Sequence, residues 1–192
     1  MVRFGIYLAY LCLRYRISIT NLAKANYCLD HGEIGIGSKF HTQFQFPQQR
    51  FLKTELLAAE LATGEKAQRI KEFAKTCGYP IILKPDNGMV GKGVLKVCSD
   101  GEGDQRAAQL RSDYLLQEFT PLNFECGIFY VRENGCSKIT GINQKHFPAI
   151  VGNGVESIQS LAKKHYRYTH HWEIFLQYLD VSRVLADGEA LT

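Results

Sequence analysis

The segment 81–97 limits what this chain can fold into more than any other. Ile81-Ile82-Leu83 is a short apolar run of strand character. It leads through Lys84 and Pro85 into Asp86-Asn87-Gly88-Met89-Val90-Gly91-Lys92-Gly93, and a second run, Val94-Leu95-Lys96-Val97, follows. Two apolar strands around a turn-rich segment predict an antiparallel hairpin. Its tip is too long for an ordinary hairpin, where loops of about two to five residues dominate. Glycines let a loop backbone approach a ligand closely, and successive N–H groups can cradle phosphate oxygens. Lys84 and Lys92 add compact positive charge. The plainer reading, an exposed hairpin with a loose tip, stays open on this segment alone.

The flanking pattern alternates helix and strand signals. Residues 48–77 read as helices. Phe51, Leu52, Leu56 and Leu57 recur at helical spacing, and after Gly64 the residues Ala67, Ile70, Phe73, Ala74 and Cys77 share one face. Gly78 and Pro80 stand where a helix should stop. A short helix is expected over 105–112. Tyr114 to Phe119 reads as a buried strand ending before Pro121. Cys126–Val131 and Ser137–Ile142 read as a hairpin around Glu133-Asn134-Gly135, because Asn-Gly favours the tightest hairpin turns. A loop is expected over 148–155 and helices over 156–165 and 169–180. Asp187 to Thr192 reads as a turn entering a strand.

Residues 1–45 are less legible. The apolar run Phe4–Leu13 lies between Arg3 and Arg14. It has about half of the roughly 20 residues that a spanning helix needs. A buried helix is expected there, with an interfacial anchor as the alternative. Gly32, Gly35 and Gly37 suggest a loop. Gly35-Ile36-Gly37-Ser38-Lys39 is not a Walker loop, which requires a lysine followed by serine or threonine.

The 192 residues are 45% hydrophobic and 22% charged, which excludes a disordered or collagen-like chain. A net charge of +4 is too small to argue for nucleic acid. The basic aromatic run 163–172 invites that reading and also fits a helix boundary. The six cysteines form no CxxC pair, so reduced thiols and a cytoplasmic protein are expected. Cys28 and His31 would make half of a zinc site with no second half.

Taken together, 78–94 (GYPIILKPDNGMVGKGV) and 115–130 (LLQEFTPLNFECGIFY) resemble the ATP-grasp superfamily. The likeness lies in the order of strand lysine, glycine-rich loop, hinge strand and a glutamate one short loop later. Residues 139–161 and 25–40 resemble its carboxylate–amine ligase and D-alanine–D-alanine-ligase-like subgroup. The resemblance implies an α+β fold of antiparallel sheets flanked by helices, with two subdomains clamping ATP. It places a preceding segment at 1–47 and the ATP-grasp domain at 48–192, divided near 116/117.

The resemblance also implies site residues. Lys84, Gly88, Gly91, Lys92 and Gly93 would hold the phosphates. Gln117, Glu118 and Phe119 would line the adenine hinge, and Glu125 would bind the ribose hydroxyls. Lys145 would be the catalytic cation. The implied cofactors are ATP and Mg²⁺, though no metal-ligating residue is identified. The implied substrates are a small carboxylate and an amine or thiol, joined through an acyl phosphate. A homodimer is compatible with this reading; nucleic acid and a membrane span are not expected. Since the family carries its metal ligands on late strands, the resemblance implies a chain incomplete at its C-terminus and impaired in catalysis. The alternatives are a non-catalytic nucleotide-binding remnant and a basic nucleic-acid-binding α+β module.

Overall fold

The computed structural model describes residues 2–26, 29, 32, 37–89, 91–122, 124–146, 149–164 and 179–191. The chain divides into two units, Met1–Phe119 and Thr120–Thr192.

The first unit is built on a four-stranded sheet. Its strands are β1 (Thr54–Leu57), β2 (Ile81–Pro85), β3 (Leu95–Val97) and β4 (Tyr114–Glu118). Their order is β1-β4-β2-β3, and every neighbouring pair is antiparallel. The hairpin expected around the long glycine loop is the β2–β3 pair, with Ile81 opposite Val97 and Leu83 opposite Leu95. Because side chains alternate across a strand, β2 sends Ile81 and Leu83 to one face and Ile82 and Lys84 to the other.

Two helices cover the first face. α3 (Thr63–Cys77) and α4 (Asp100–Ala107) follow two earlier helices, α1 (Val2–Tyr15) and the short α2 (Lys39–Phe44). Ile70, Phe73 and Ala74 of α3 pack with Ala107, Leu110, Leu57, Ile81, Leu83, Val97 and Leu116 in one buried cluster. α3 ends as expected at Gly78, whose φ of 81° is easily reached only by glycine.

Three expectations need correction here. The run Phe51–Leu57 does not form a helix; Thr54–Leu57 is strand β1, paired with β4. Pairing along a whole strand edge outweighed a local spacing of only a few residues. The helix expected at 105–112 lies earlier, because Ser99 caps it by accepting from the Glu102 N–H while the Glu102 carboxylate accepts from the Cys98 N–H. Gly103 belongs inside this helix, since a Cβ there would lie 2.9 Å from Ile70 Cγ2. Finally, Phe4–Leu13 is helical, but none of its described side chains is buried. Ile6, Tyr7, Tyr10 and Leu13 of α1 are exposed, Leu13 at 81%.

α1 ends in a Schellman motif. The Ile17 N–H donates to Cys12 O, the Arg16 N–H donates to Leu13 O, and Arg16 takes a φ of 52°.

The second unit contains a long hairpin, β5 (Glu125–Glu133) and β6 (Cys136–Lys145). Asn134 and Gly135 turn it with φ of 50° and 78°, the pair of positive values that a type I′ turn needs. A small sheet pairs β7 (Ile150–Val151) with β8 (Ala190–Leu191), so the region expected to be a loop at 148–155 contains a strand. β8 is the strand expected after the Asp187–Gly188 turn. Helix α5 (Ile158–Lys163) packs Ile158 and Ala162 against Ile150 and Leu185. Gly152 is required there, because a Cβ would lie 2.2 Å from Ala186 O. The helix expected over 169–180, apart from its last two residues, lies outside the described residues. So do Cys28, His31, His165, His170 and His171.

Candidate functional site

The sheet face opposite α3 and α4 carries the first unit's polar chemistry. Lys84 and Gln117 sit diagonally on adjacent strands of this face, since Gln117 pairs with Ile82 and Leu115 with Lys84. Lys84 Nζ donates to Gln117 Oε1 at 2.9 Å, Gln117 Nε2 donates to Thr54 Oγ1 at 3.0 Å, and Thr54 Oγ1 donates to Leu52 O at 2.9 Å. A lysine can only donate, so it fixes which way the amide faces.

The glycine loop closes beside Lys84. Lys92 N donates to Met89 O and Val94 N to Gly91 O, which folds the tip into two successive turns. Gly91 and Gly93 take φ of 76° and 75°. A Cβ on Gly93 would lie 2.9 Å from Pro85 Cγ and 3.3 Å from the Tyr114 hydroxyl, so the tight packing allows no side chain there. Lys39, Lys84, Pro85, Gly88, Met89, Gly91, Lys92 and Val94 line a pocket of about 100 Å³. Water takes up roughly 30 Å³ per molecule, so this space suits a small anion or part of a larger one.

Lys39 is the residue that sequence reasoning missed. Its ammonium donates to the carbonyls of Asp86 at 2.9 Å, Gly88 at 2.8 Å and Pro85 at 3.4 Å. The Asp86 carboxylate is buried and accepts from the Phe40 N–H at 2.8 Å. Helix α2 and the loop therefore hold each other across more than 40 residues of sequence, a distance at which no local motif operates.

Three lysines give this pocket a positive lining. Among the described residues, none of Lys39, Lys84 and Lys92 forms an ion pair with a carboxylate. Burial lowers the Lys84 pKa below the ordinary lysine value; the neighbouring Lys39 charge lowers it further, and Asp86 partly opposes them. An ammonium held near another cation, with Asp86 offsetting only part of that repulsion, is the arrangement that a further negative charge would relieve.

The remaining expected residues fall in two places. Glu118 ends β4, where its carboxylate accepts from the Lys53 N–H at 3.3 Å. Phe119 lies under the Lys96 ammonium, 4.5 Å from its ring centre. In the second unit, Glu125 and Lys145 face each other at the open end of the β5–β6 hairpin. The Lys145 ammonium donates to both Glu125 carboxylate oxygens at 2.9 Å. They line a concavity of about 400 Å³ with Cys126, Gly127, Asn143, Gln144 and His146. Among the described residues no group of three or more His, Cys, Asp or Glu side chains is placed to hold a metal ion.

The first unit thus defines an α+β protein with a glycine-lined, lysine-rich pocket beside an antiparallel sheet. No protein-family model matches the chain. Over 65 residues it is 32% identical to a phosphoribosylamine–glycine ligase of Clostridium acetobutylicum, a match covering 34% of this chain and 15% of that protein. With that ligase beside the motifs, the chain resembles ATP-grasp ligases. Among solved structures it aligns with a D-alanine–D-alanine ligase from Helicobacter pylori at 16% identity and TM-score 0.40, over 55% of this chain and 32% of the other. It aligns with a D-alanyl-alanine synthetase A from Vibrio cholerae at 13% identity and TM-score 0.44, over 69% and 37%. It aligns with an N5-carboxyaminoimidazole synthetase from Staphylococcus aureus at 13% and 0.42, over 77% and 37%. The chain therefore spans about a third of the length of these structures and less of the ligase.

Proposed function

We propose that this chain binds ATP and belongs to a ligase that joins a carboxylate to an amine or thiol. The observation that carries the proposal is the group of Lys39, Lys84 and Lys92 around a pocket floored by Gly88 and Gly91. Lys84 and Lys92 would neutralise phosphate oxygens, and the turned loop would offer its N–H groups. Lys39 would keep the loop in place. Gln117 would orient Lys84, and Gln117, Glu118 and Phe119 would meet the adenine. In the second unit, Glu125 would accept from ribose hydroxyls and Lys145 would face a transferred phosphate.

When bound, ATP supplies the phosphoryl group that turns a carboxylate into an acyl phosphate, from which an amine or thiol displaces phosphate. The protein's contribution to such chemistry is chiefly position and charge.

The test is a thermal shift of the chain with ATP, ATP with magnesium, and ADP. A nucleotide at about 100 times its dissociation constant stabilises the fold by roughly 2.7 kcal/mol. A shift in wild type that disappears in Lys84→Met supports the reading. A folded chain that no nucleotide shifts overturns it.

A further inference from the structure

Helix α1 is unusual in what it exposes. Ile6, Tyr10 and Leu13 follow a spacing of four and three residues along one face, with Tyr7 beside Tyr10 at 6.3 Å between ring centres. Their exposures run from 55% to 81%, far beyond an isolated surface leucine. Arg14 closes the stripe, and Tyr15 and Arg16 follow.

The charge around this stripe is one-sided. Residues 1–29 contain Arg3, Arg14, Arg16 and Lys24 and no Asp or Glu. The whole chain has 23 basic and 19 acidic residues. Subtracting the four basic residues leaves 19 of each, so the entire formal net charge of +4 resides in this segment.

The helix has 14 residues, about 21 Å at 1.5 Å per residue, against a hydrocarbon core of about 30 Å. No described helix is long and apolar enough to cross a membrane. A short helix with an aliphatic and tyrosine face, flanked only by cations, has the character of an element lying in a membrane–water interface.

We infer that α1 docks on an anionic lipid surface, with Ile6, Tyr7, Tyr10 and Leu13 inserted among the headgroups and the arginines meeting lipid phosphates or carboxylates. A purely protein partner would be expected to supply acidic groups at defined points. A lipid surface offers a diffuse negative field, which suits cations spread along the segment rather than clustered.

The test is co-sedimentation of the chain with vesicles of phosphatidylcholine, with and without phosphatidylserine, over a range of sodium chloride. Binding should require phosphatidylserine and weaken as salt rises. The double variant Ile6→Ala/Leu13→Ala, which keeps good helix formers, should lower the partition coefficient at least about tenfold. Arg14→Ala should lower it about fivefold. Lys75→Ala, on an exposed part of α3, should leave it unchanged. Equal binding to both vesicle types overturns the inference, as does a double variant that binds like wild type. Self-association without lipid that Leu13→Ala removes also overturns it, because a second copy would then cover the face.

Discussion

The Lys84 ammonium is held 2.9 Å from Gln117 Oε1, across adjacent strands, with a neutral amide where an ion pair would be expected. This single contact leaves the lysine's charge available while fixing its direction. Replacing Lys84 with methionine keeps the length and apolar stem of the side chain and removes a half-buried charge. Stability of the unliganded chain should be unchanged or slightly higher, and ATP affinity should fall about tenfold or more. Thermal unfolding with and without ATP measures both; an equal loss in the two conditions would mean a structural lysine.

Gln117→Leu removes the acceptor for Lys84 and the donor to Thr54 together. Groups left without partners in a half-buried setting cost about 1–3 kcal/mol. Adding Lys84→Met should recover part of that loss, since the double variant no longer strands an ammonium. Urea unfolding of the two single variants and the double variant gives the coupling energy. Simple additivity would show that the relay across β1, β4 and β2 is not a unit.

The two glycines with the same backbone angle should respond differently. Gly91→Ala meets nothing within 4 Å and costs only the left-handed conformation, about 1 kcal/mol. Gly93→Ala adds a Cβ 2.9 Å from Pro85 Cγ and should cost about 2 kcal/mol or more. Denaturation midpoints that rank them the other way would contradict the packing at the base of the loop.

The lowered pKa of Lys84 makes a prediction about pH. Its folded value lies below the unfolded one, so the fold favours the neutral amine, and the stability lost to that charge returns as pH rises through the folded value. Phosphate binding needs the ammonium and should weaken over the same rise, at a lower pH than an ordinary lysine would show. Titration of inorganic triphosphate binding against pH, in wild type and Lys84→Met, tests the sign. Only the wild type should show this step.

Glu125 and Lys145 form an exposed pair, with side chains 51% and 58% accessible. Glu125→Gln should therefore change stability by less than about 1 kcal/mol. A role on ribose hydroxyls would appear as weaker binding of ATP with no change for inorganic triphosphate. Equal effects on the two ligands would remove that role.

Much of this molecule was legible in short segments. The β2–β3 hairpin, the end of α3 at Gly78, the buried strand β4 and the Asn134-Gly135 turn all follow from local rules: alternation, periodicity, and which residues tolerate a positive φ. Lys84, Gly88, Gly91 and Lys92 could be grouped from the sequence, and they line one pocket, because the loop that joins them is continuous in sequence.

Tertiary structure alone decided the rest. Lys39 reaches the loop from 47 to 49 residues away, and no spacing rule connects them. Thr54–Leu57 became an edge strand because β4 offered a partner, against the helical spacing of the run it ends. Gly103 fits inside α4 because Ile70 of α3 fills the space where its side chain would stand. The apolar run of α1 predicted a helix correctly and its burial wrongly. Hydrophobicity sets only a preference to leave water, and what the chain packs against decides whether that preference is met within the fold.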